Sequence, residues 1–521
     1  MAPRRLTALI AIALCSLRPL PAPAQDSART TAAPAPPAER ERLATTTHTA
    51  RIGGQEIRYT ATAGTLLLED STGAPKADAF FVAYVRAGAG DPSTRPITFA
   101  YNGGPGSASI WLHMGALGPR RVHMAENGFQ PGPPYRLVDN DQSIIDVTDL
   151  VMIDPIMTGY SRPAPGEDKK QFHGVNEDLR WVGEFIRRYL TRFDRWRSPK
   201  LLLGESYGTF RSAGLAPVLQ GRGIELNGIV LVSSVLDFAT IRSNEGNDLP
   251  FIMFLPTYTA TAWYHRRLAP ELQADFQAAL DEARAFAIGE YATGLLKGTR
   301  LSLDERRVVA QGVARLTGLS TEFVERANLR VDPARFRKEL LRDERLVTGR
   351  LDSRYTAMDA DAAGERQEFD PSNHALAGPY TAMFIDYLSR ELDYQSDLVY
   401  YTSGPVRPWN YNEYANRYAT QVDALRGAMA RNPYLRVFIA NGYYDMATPF
   451  FATEYTVAHL GWESSYADRV AMGYYEGGHM MYIIERELAA FKRDVAAFIN
   501  EAASGELPAG TRPRAATTAG R

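Results

Sequence analysis

Short apolar runs separated by polar loops recur along most of the chain, and their spacing predicts a sheet covered by helices. Five such runs of three to five residues lie at 97–101, 150–153, 201–203, 229–232 and 437–440. Strands that are apolar throughout are typical of parallel sheets buried on both faces. Because helical patterns follow most of these runs, the chain is expected to be an α/β protein with helices on both faces of a mostly parallel central sheet.

Two other regions have different patterns. Residues 48–85 alternate between apolar and polar positions, with Gly53-Gly54 as a turn, which predicts an antiparallel opening to the sheet. Between 246 and 400 helix signals dominate, including a capping box of Ser302 with Glu305 and the N-terminal pair Asp332-Pro333. We interpret 246–400 as a helical cap inserted between two parts of one core, 45–245 and 401–503.

The two ends of the chain have the composition of segments outside a folded core. Arg4 and Arg5, the apolar residues 6–17 and Ala22-Pro23-Ala24 are typical of a signal peptide over 1–24. Its apolar run is too short to span a bilayer. Residues 25–44 and 504–521 are rich in small and polar residues and are expected to be disordered. The protein is therefore expected to be exported, either periplasmic or secreted, and not inserted stably in a membrane once the signal is removed.

Charge and cysteine content exclude several kinds of partner and chemistry. Lys plus Arg (58) and Asp plus Glu (60) nearly balance, so electrostatics favours neither a nucleic acid nor an anionic membrane as a partner. The one cysteine, Cys15, lies within the predicted signal, so the mature chain would have no disulfide and no thiolate nucleophile. No motif indicates a metal site or a cofactor, and the oligomeric state is not indicated.

A candidate nucleophile lies in the sequence Gly204-Glu205-Ser206-Tyr207-Gly208. It matches G-x-S-x-G, follows the run 201–203 and precedes a helical pattern over 209–219, which is the context of the strained strand-to-helix turn of an α/β-hydrolase. A serine hydroxyl needs a base to remove its proton and an acidic residue to orient that base. Ser206 therefore predicts a histidine and a carboxylate further along the chain.

His479 and Asp445 are the best candidates for these two roles. Of the eight histidines, only His459 and His479 follow the last long apolar run. His459 lies in an amphipathic stretch, whereas His479 follows Gly478 in a loop. Asp445 follows the run 437–440, which brings it to the same sheet edge as Ser206, although an Asx-turn before Pro449 is an alternative role. The chain order Ser, Asp, His is that of α/β-hydrolases.

A glycine-rich loop precedes the nucleophile. Asn102-Gly103-Gly104-Pro105-Gly106-Ser107 follows the run 97–101, where an α/β-hydrolase places an oxyanion loop. We assign the oxyanion hole to the backbone N–H groups of Gly104 and Tyr207. A phosphate-binding loop is disfavoured, because Pro105 lacks an N–H donor and no Gly-Lys-Ser/Thr follows.

Taken together, the motifs resemble those of the serine carboxypeptidases, here a bacterial-type exported member. The matching segments, in order, are 102–106, 154–161 (DPIMTGYS), 204–208, 442–449 and 478–480. The resemblance implies an α/β-hydrolase fold with an inserted cap and release of single residues from peptide C-termini, usually at acid pH. It also implies that Asn102 and Glu205 hold the substrate's terminal carboxylate, which requires a shared proton. Alternatively, Glu205 interacts only with the dipole of the following helix.

The chain departs from the family pattern at several positions. Ala116 stands where the family has a glutamate that partners the carboxylate-binding groups; Arg120 or Arg121 could compensate. Ser107 replaces a common cysteine. Tyr160 is a candidate pocket-lining residue, and Asp154 and Gly159 could also shape the pocket. Because of Ala116, an esterase or acyltransferase on the same scaffold stays open as an alternative. A non-catalytic binding protein is disfavoured by the complete triad.

Overall fold

The central element of the structure is a sheet of ten strands. The computed structural model describes residues 41–461, 466 and 468–508, which belong to one compact unit. The strands are β1 (Leu43–Ile52), β2 (Gln55–Glu69), β3 (Pro75–Arg86), β4 (Ile97–Tyr101), β5 (Arg120–Val122), β6 (Leu137–Asp139), β7 (Asp149–Ile153), β8 (Arg162–Pro163), β9 (Lys200–Glu205), β10 (Gly228–Val232), β11 (Leu346–Thr348), β12 (Thr356–Met358), β13 (Arg436–Gly442) and β14 (Val470–Tyr475).

The strand order is β1-β2-β3-β7-β4-β9-β10-β13-β14, and β8 pairs with β3. The six strands from β7 to β14 run parallel, whereas β1, β2 and β3 form an antiparallel opening. The five apolar runs are confirmed as β4, β7, β9, β10 and β13. Short hairpins pair β5 with β6 and β11 with β12. They consist of three-residue strands, too short to produce a periodic signal.

Helices cover both faces of the sheet. They are α1 (Ile110–Leu112), α2 (Val175–Arg192), α3 (Tyr207–Gln220), α4 (Leu249–Tyr264), α5 (Pro270–Gln273), α6 (Phe276–Phe286), α7 (Ala292–Lys297), α8 (Leu303–Thr317), α9 (Thr321–Arg326), α10 (Pro333–Glu339), α11 (Pro371–Arg390), α12 (Val422–Arg431), α13 (Phe450–Ala458) and α14 (Glu485–Ala503). Helix α2 packs on one face through Phe185 and Tyr189, in a cluster with Leu202 of β9. Helix α14 packs on the other through Phe491 and Phe498. The mostly parallel sheet and its helices confirm the expected fold class.

The chain between β10 and β13 is mainly helical. It contains α4 to α12, and both predicted helix starts are present: Ser302 and Glu305 form the capping box, and Asp332 caps α10. Apolar side chains of α4, α6, α8 and α10 form a cluster of their own, which also includes residues 443–452. The domain limits at 246 and 400 stay predictions, because the described residues form one unit.

The predictions for the chain ends fall mostly outside the described residues. Strand β1 begins at Leu43, so the last two residues of the expected leader 25–44 are strand instead. The predicted signal 1–24 is outside the described range, as is most of the tail 504–521. No helix within the described ranges is both long enough and apolar enough to cross a membrane.

Candidate active site

Ser206 lies on the tight turn between β9 and α3. Its backbone has φ 60° and ψ −128°, a strained conformation for a residue with a side chain. The turn needs a glycine at 204, because a Cβ atom there would lie 2.2 Å from the carbonyl oxygen of Gly208. The Ser206 N–H donates to the carbonyl of Val232 at 3.0 Å. These contacts fix the turn against the neighbouring strand β10, with the Ser206 side chain lining a cavity.

His479 and Asp445 are brought together by the loops that follow β14 and β13. His479 Nδ1 lies 2.7 Å from Asp445 Oδ2, and both side chains are buried. Asp445 also accepts hydrogen bonds from the backbone N–H groups of Ala447 and Thr448, at 2.8 and 3.0 Å, and from the Thr448 hydroxyl at 2.6 Å. With these donors in place, Asp445 is held as an oriented acceptor, which fixes the ring of His479.

The electrostatics of this pair favour a protonated imidazole. Burial by itself lowers the pKa of His479, but the negative charge of Asp445, the hydrogen bond between them and the charge of Glu205 together raise it above 6.5. Ser206 and His479 line the same cavity. In the described residues no hydrogen bond joins the two side chains, which is common before substrate binds.

The glycine-rich loop lies directly against the nucleophile turn. A Cβ atom on Gly103 would lie 2.3 Å from the backbone nitrogen of Tyr207, so this approach requires glycine. Gly104 lines the cavity beside Ser206. Tyr207 is the first residue of α3, where an N–H group has no acceptor within the helix. The two predicted oxyanion donors thus lie on adjoining segments, with Gly104 at the cavity and Tyr207 directly after Ser206.

Asn102 and Glu205 are joined by a direct hydrogen bond. Asn102 Nδ2 donates to Glu205 Oε1 at 2.7 Å, and both residues line the cavity although they are 1% and 3% exposed. The Asn102 side-chain oxygen accepts from the N–H of Leu112 at 3.0 Å, which fixes the orientation of the amide. The two residues predicted to bind a carboxylate are therefore brought together.

Tyr482 belongs to the site, although no sequence motif predicts a role for it. Its hydroxyl donates to Glu205 Oε2 at 2.5 Å, and its ring is buried. In the sequence, the one indication of a role for Tyr482 is its position three residues after His479. The pattern His479-Met480-Met481-Tyr482 resembles an apolar core segment and gives no reason to expect a polar role.

Glu205 is the group in the site whose protonation is most strongly perturbed. Burial raises its pKa to about 7, and the positive charge of His479 and the hydrogen bonds from Tyr482 and Asn102 oppose this rise. A carboxyl group with this pKa is protonated in mildly acidic solution and ionised in alkaline solution. It can therefore change from a hydrogen-bond donor to an acceptor near neutral pH.

Neither arginine expected to compensate for Ala116 lies at the cavity. Arg120 forms ion pairs with Asp139 and Glu391, and Arg121 Nη2 lies 2.7 Å from Glu485. Neither is among the described residues that line the cavity. Ala116 itself is buried in the short helical segment 113–117. The compensation hypothesis is therefore wrong, because both guanidinium groups are occupied elsewhere.

Tyr160 does not line the cavity, so the prediction for it is also wrong. It is 5% exposed, and its ring packs edge-on against Phe80 and Tyr400. Its neighbour Asp154 is buried and accepts hydrogen bonds from the N–H of Ser109 and the hydroxyl of Tyr400, at 2.8 and 2.9 Å. Aromatic packing and hydrogen bonds therefore hold the side chains of Asp154 and Tyr160 in the core.

The cavity around these groups has a volume of about 330 Å³. Its lining residues are Asn102, Gly103, Gly104, Pro105, Ser107, Trp111, Glu205, Ser206, Arg350, Leu351, Asn373, Leu376, Ala377, Thr402, Ser403, Arg407, His479 and Met480. They come from both parts of the expected core and from the helical region between β10 and β13.

Comparison with known proteins adds two findings on sequence and one on fold. Residues 63–243 match the family model described as serine carboxypeptidase. "Serine carboxypeptidase-like 45" of Arabidopsis thaliana is 29% identical over 160 residues, which are 29% of this chain and 32% of the plant protein. The matched part thus spans about a third of that relative's length.

A solved structure has the same fold. Kex1(delta)p, a prohormone-processing carboxypeptidase from Saccharomyces cerevisiae, superposes with a TM-score of 0.53 at 14% identity, over 85% of this chain and 92% of that one. At this identity the likeness concerns the fold alone. The chain therefore has an α/β-hydrolase fold, and its residues 63–243 match the serine carboxypeptidase family.

Proposed function

We propose that this protein is a serine carboxypeptidase that releases C-terminal residues from peptides through an acyl-enzyme on Ser206. The observation that carries the proposal is the buried Asn102–Glu205 pair, which lines the same cavity as Ser206 and His479. The pair places an amide donor and a protonatable carboxyl group beside the nucleophile, where both can bind a terminal carboxylate. The family match over 63–243 includes the pair and the nucleophile.

The triad would act by the usual division of roles. His479 takes the proton of the Ser206 hydroxyl as that oxygen attacks the carbonyl carbon of the last peptide bond. Asp445, bonded to Nδ1, keeps the ring oriented and stabilises the imidazolium. The N–H groups of Gly104 and Tyr207 stabilise the negative charge on the carbonyl oxygen. His479 then gives its proton to the leaving amine, and water attacks the acyl-enzyme by the same steps.

Carboxylate recognition would rest on a proton at Glu205. Below pH of about 7 its carboxyl group is mostly protonated, since burial raises its pKa to about 7. The protonated group and the Asn102 amide can both donate hydrogen bonds to a terminal carboxylate. Above that pH two negative charges would face each other. The proposal therefore includes binding of the terminal carboxylate that is strongest on the acidic side of neutrality.

Export is a further part of the proposal. It is supported by the basic, apolar and small-residue segments of 1–24. We place the mature protein in the periplasm or outside the cell, as a bacterial-type member of the group that it resembles.

An esterase or acyltransferase is the second candidate. Ala116 is buried and carries no carboxyl group, so no side chain at position 116 can share a proton with Glu205. This favours the second candidate. Such an enzyme would use the same triad and oxyanion hole without binding a free terminal carboxylate.

Hydrolysis of paired blocked dipeptides distinguishes the two candidates. The members of each pair are identical except for a free or amidated C-terminus and are assayed from about pH 4 to pH 8, with the Ser206→Ala protein as control. A carboxypeptidase prefers the free acid, most strongly at low pH. Indifference to the C-terminal group, with ester cleavage retained, would instead identify an esterase or acyltransferase.

A further inference from the structure

Two arginine side chains line the cavity without a partner. Arg350 and Arg407 are exposed, and in the described part of the chain neither guanidinium group forms an ion pair or a hydrogen bond. Glu205 is the one acidic residue among the described residues lining the cavity. Glu205 accepts hydrogen bonds from Asn102 and Tyr482, and among the described residues it forms no ion pair with either arginine.

The backbone of Arg350 is fixed beside the acid and base of the triad. Its N–H donates to Asp370 at 2.9 Å, and its carbonyl accepts from the N–H of Met446, the residue after Asp445, at 3.1 Å. The carbonyl of the next residue, Leu351, accepts from the N–H of His479 at 2.5 Å. The positive charge of Arg350 opposes the rise in the pKa of His479, which is consistent with this proximity.

Arg407 lies in a segment that contacts the oxyanion loop. The N–H of Gly404 donates to the carbonyl of Gly106 at 2.7 Å, and Ser403 forms a β-bridge with Ser107. Val406 packs where a side chain on Gly106 would lie. The two arginines thus reach one cavity from two separately anchored segments.

We propose that this cavity selects peptides with an acidic side chain next to the cleaved bond, and that Arg350 and Arg407 bind that side-chain carboxylate. The inference rests on the proposed carboxypeptidase function and adds a substrate class to it. The substrate's terminal carboxylate is assigned to the buried Asn102–Glu205 pair, so the exposed guanidinium groups are available for a second anion. Guanidinium groups bind carboxylates through paired hydrogen bonds, which suits a Glu or Asp side chain.

The alternative is that the arginines bind the terminal carboxylate. A terminal carboxylate and a side-chain carboxylate have the same chemistry. Substituting the arginines would, however, affect different peptides in the two cases. If the arginines bind the terminus, their loss weakens glutamate and glutamine peptides equally. If they bind a side chain, their loss weakens only the acidic peptide.

The test measures binding to the Ser206→Ala protein, which does not consume the peptide. The ligands are blocked dipeptides with a free C-terminus and either Glu or Gln at the last or the second-to-last position, titrated calorimetrically at about pH 6, where a Glu side chain is ionised. We expect the Glu peptide of at least one pair to bind about tenfold more tightly, as for a hydrogen bond to a charged group. Arg350→Gln or Arg407→Gln should reduce this ratio, and the double variant should bring it close to one.

Arg366→Gln is the matched control, because Arg366 is exposed and is not among the described lining residues. It should keep the ratio of the parent protein. Equal binding of Glu and Gln peptides at both positions, or an unchanged ratio in the double variant, would overturn the inference. Hydrolysis of the Gln peptides by the wild-type protein separately tests the proposed function, so the two failures are distinguishable.

Discussion

The two halves of the proposed active site are held in different ways. The nucleophile half consists of four residues that lie at or directly after the ends of the adjacent strands β4 and β9. They are Gly104, Glu205, Ser206 and Tyr207. The acid–base half consists of Asp445 and His479, on loops after β13 and β14. The family match over 63–243 covers the first half and ends well before the second.

Contacts with the predicted insertion, residues 246–400, distinguish the acid–base half. The N–H of His479 donates to the carbonyl of Leu351, and the N–H of Gly478 donates to the Asp352 side chain at 3.2 Å. The N–H of Ser353 donates to the carbonyl of Tyr444 at 3.0 Å. In the nucleophile half, the Ser206 turn contacts β10. The oxyanion loop also contacts the segment 402–406. A local motif can therefore identify the nucleophile, whereas the base depends on contacts between distant parts of the chain.

Ser206→Ala should have the largest effect, because it removes the attacking atom. We expect kcat to fall by about 10⁴ to 10⁶. The melting temperature should stay within a few degrees of the wild type, because the turn is fixed by backbone contacts. Steady-state hydrolysis and thermal unfolding measure the two quantities. Retained peptidase activity would contradict the assignment of the nucleophile half.

Asp352→Asn tests whether the insertion positions the base. Asp352 accepts from Gly478 and forms a buried ion pair with Arg354 at 2.5 Å, so the change should cost about 3 kcal/mol of stability. We also expect kcat to fall by about 10², because the loop that carries His479 would shift. The readouts are kcat below the melting temperature and chemical denaturation.

Asp359→Asn is the matched control for this loss of stability. Asp359 forms a buried ion pair with Lys338 at 2.5 Å, also in the insertion, with no described contact to the catalytic loops. It should lose similar stability and keep its kcat. Equal losses of kcat in both variants would mean that the insertion contributes only to stability.

Glu205→Gln should reduce the dependence of KM on pH. In the wild type the KM for a free-acid peptide should rise about fivefold from pH 7 to 8, as the carboxyl group with a pKa of about 7 ionises. In the variant it should change little. A KM that rises with pH equally in both proteins would exclude Glu205 as the carboxylate-binding acid.

The same substitution should also alter stability in a defined direction. The pKa of Glu205 is raised from 4.5 to about 7 on folding, so its protonated form contributes stability that is fully present below pH 4.5 and is lost as pH rises through 7. In the Glu205→Gln protein this contribution is absent, so stability should decline less as pH rises through 7. Melting temperatures across that interval, compared between the two proteins, measure it.

Tyr482→Phe should have the smallest effect. The hydrogen bond from Tyr482 lowers the pKa of Glu205, so its loss should raise that pKa and shift the KM profile to higher pH. We expect a two- to threefold lower KM at about pH 8 and a loss of about 1 kcal/mol of stability.

Tyr475→Phe is the control for Tyr482→Phe. Tyr475 is a buried tyrosine that donates to the carboxylate of Asp494 at 2.9 Å, away from the cavity. It should lose comparable stability without a shift of the KM profile. A shift in both variants would indicate a general effect of stability on binding.

Sequence patterns predict the features that depend on residues close together in the chain. The buried strands are recognisable because each is a continuous apolar run, and Ser206 because its glycines and flanking elements are local. Tyr482 and the segment 350–353 are not recognisable, since their roles depend on contacts with Glu205 and His479, which are more than 120 residues away. Tyr160 was misassigned for the same reason, because only the folded chain reveals the aromatic rings around it.

The most direct test of the central claim is the pattern of products from a long unblocked peptide. Mass spectrometry over a time course at about pH 5 should show successive loss of single residues from the C-terminus, with the N-terminus intact, and no change with Ser206→Ala or with the amidated peptide. Internal fragments, or equal shortening of the amidated peptide, would contradict a carboxypeptidase that binds the terminal carboxylate through Asn102 and Glu205.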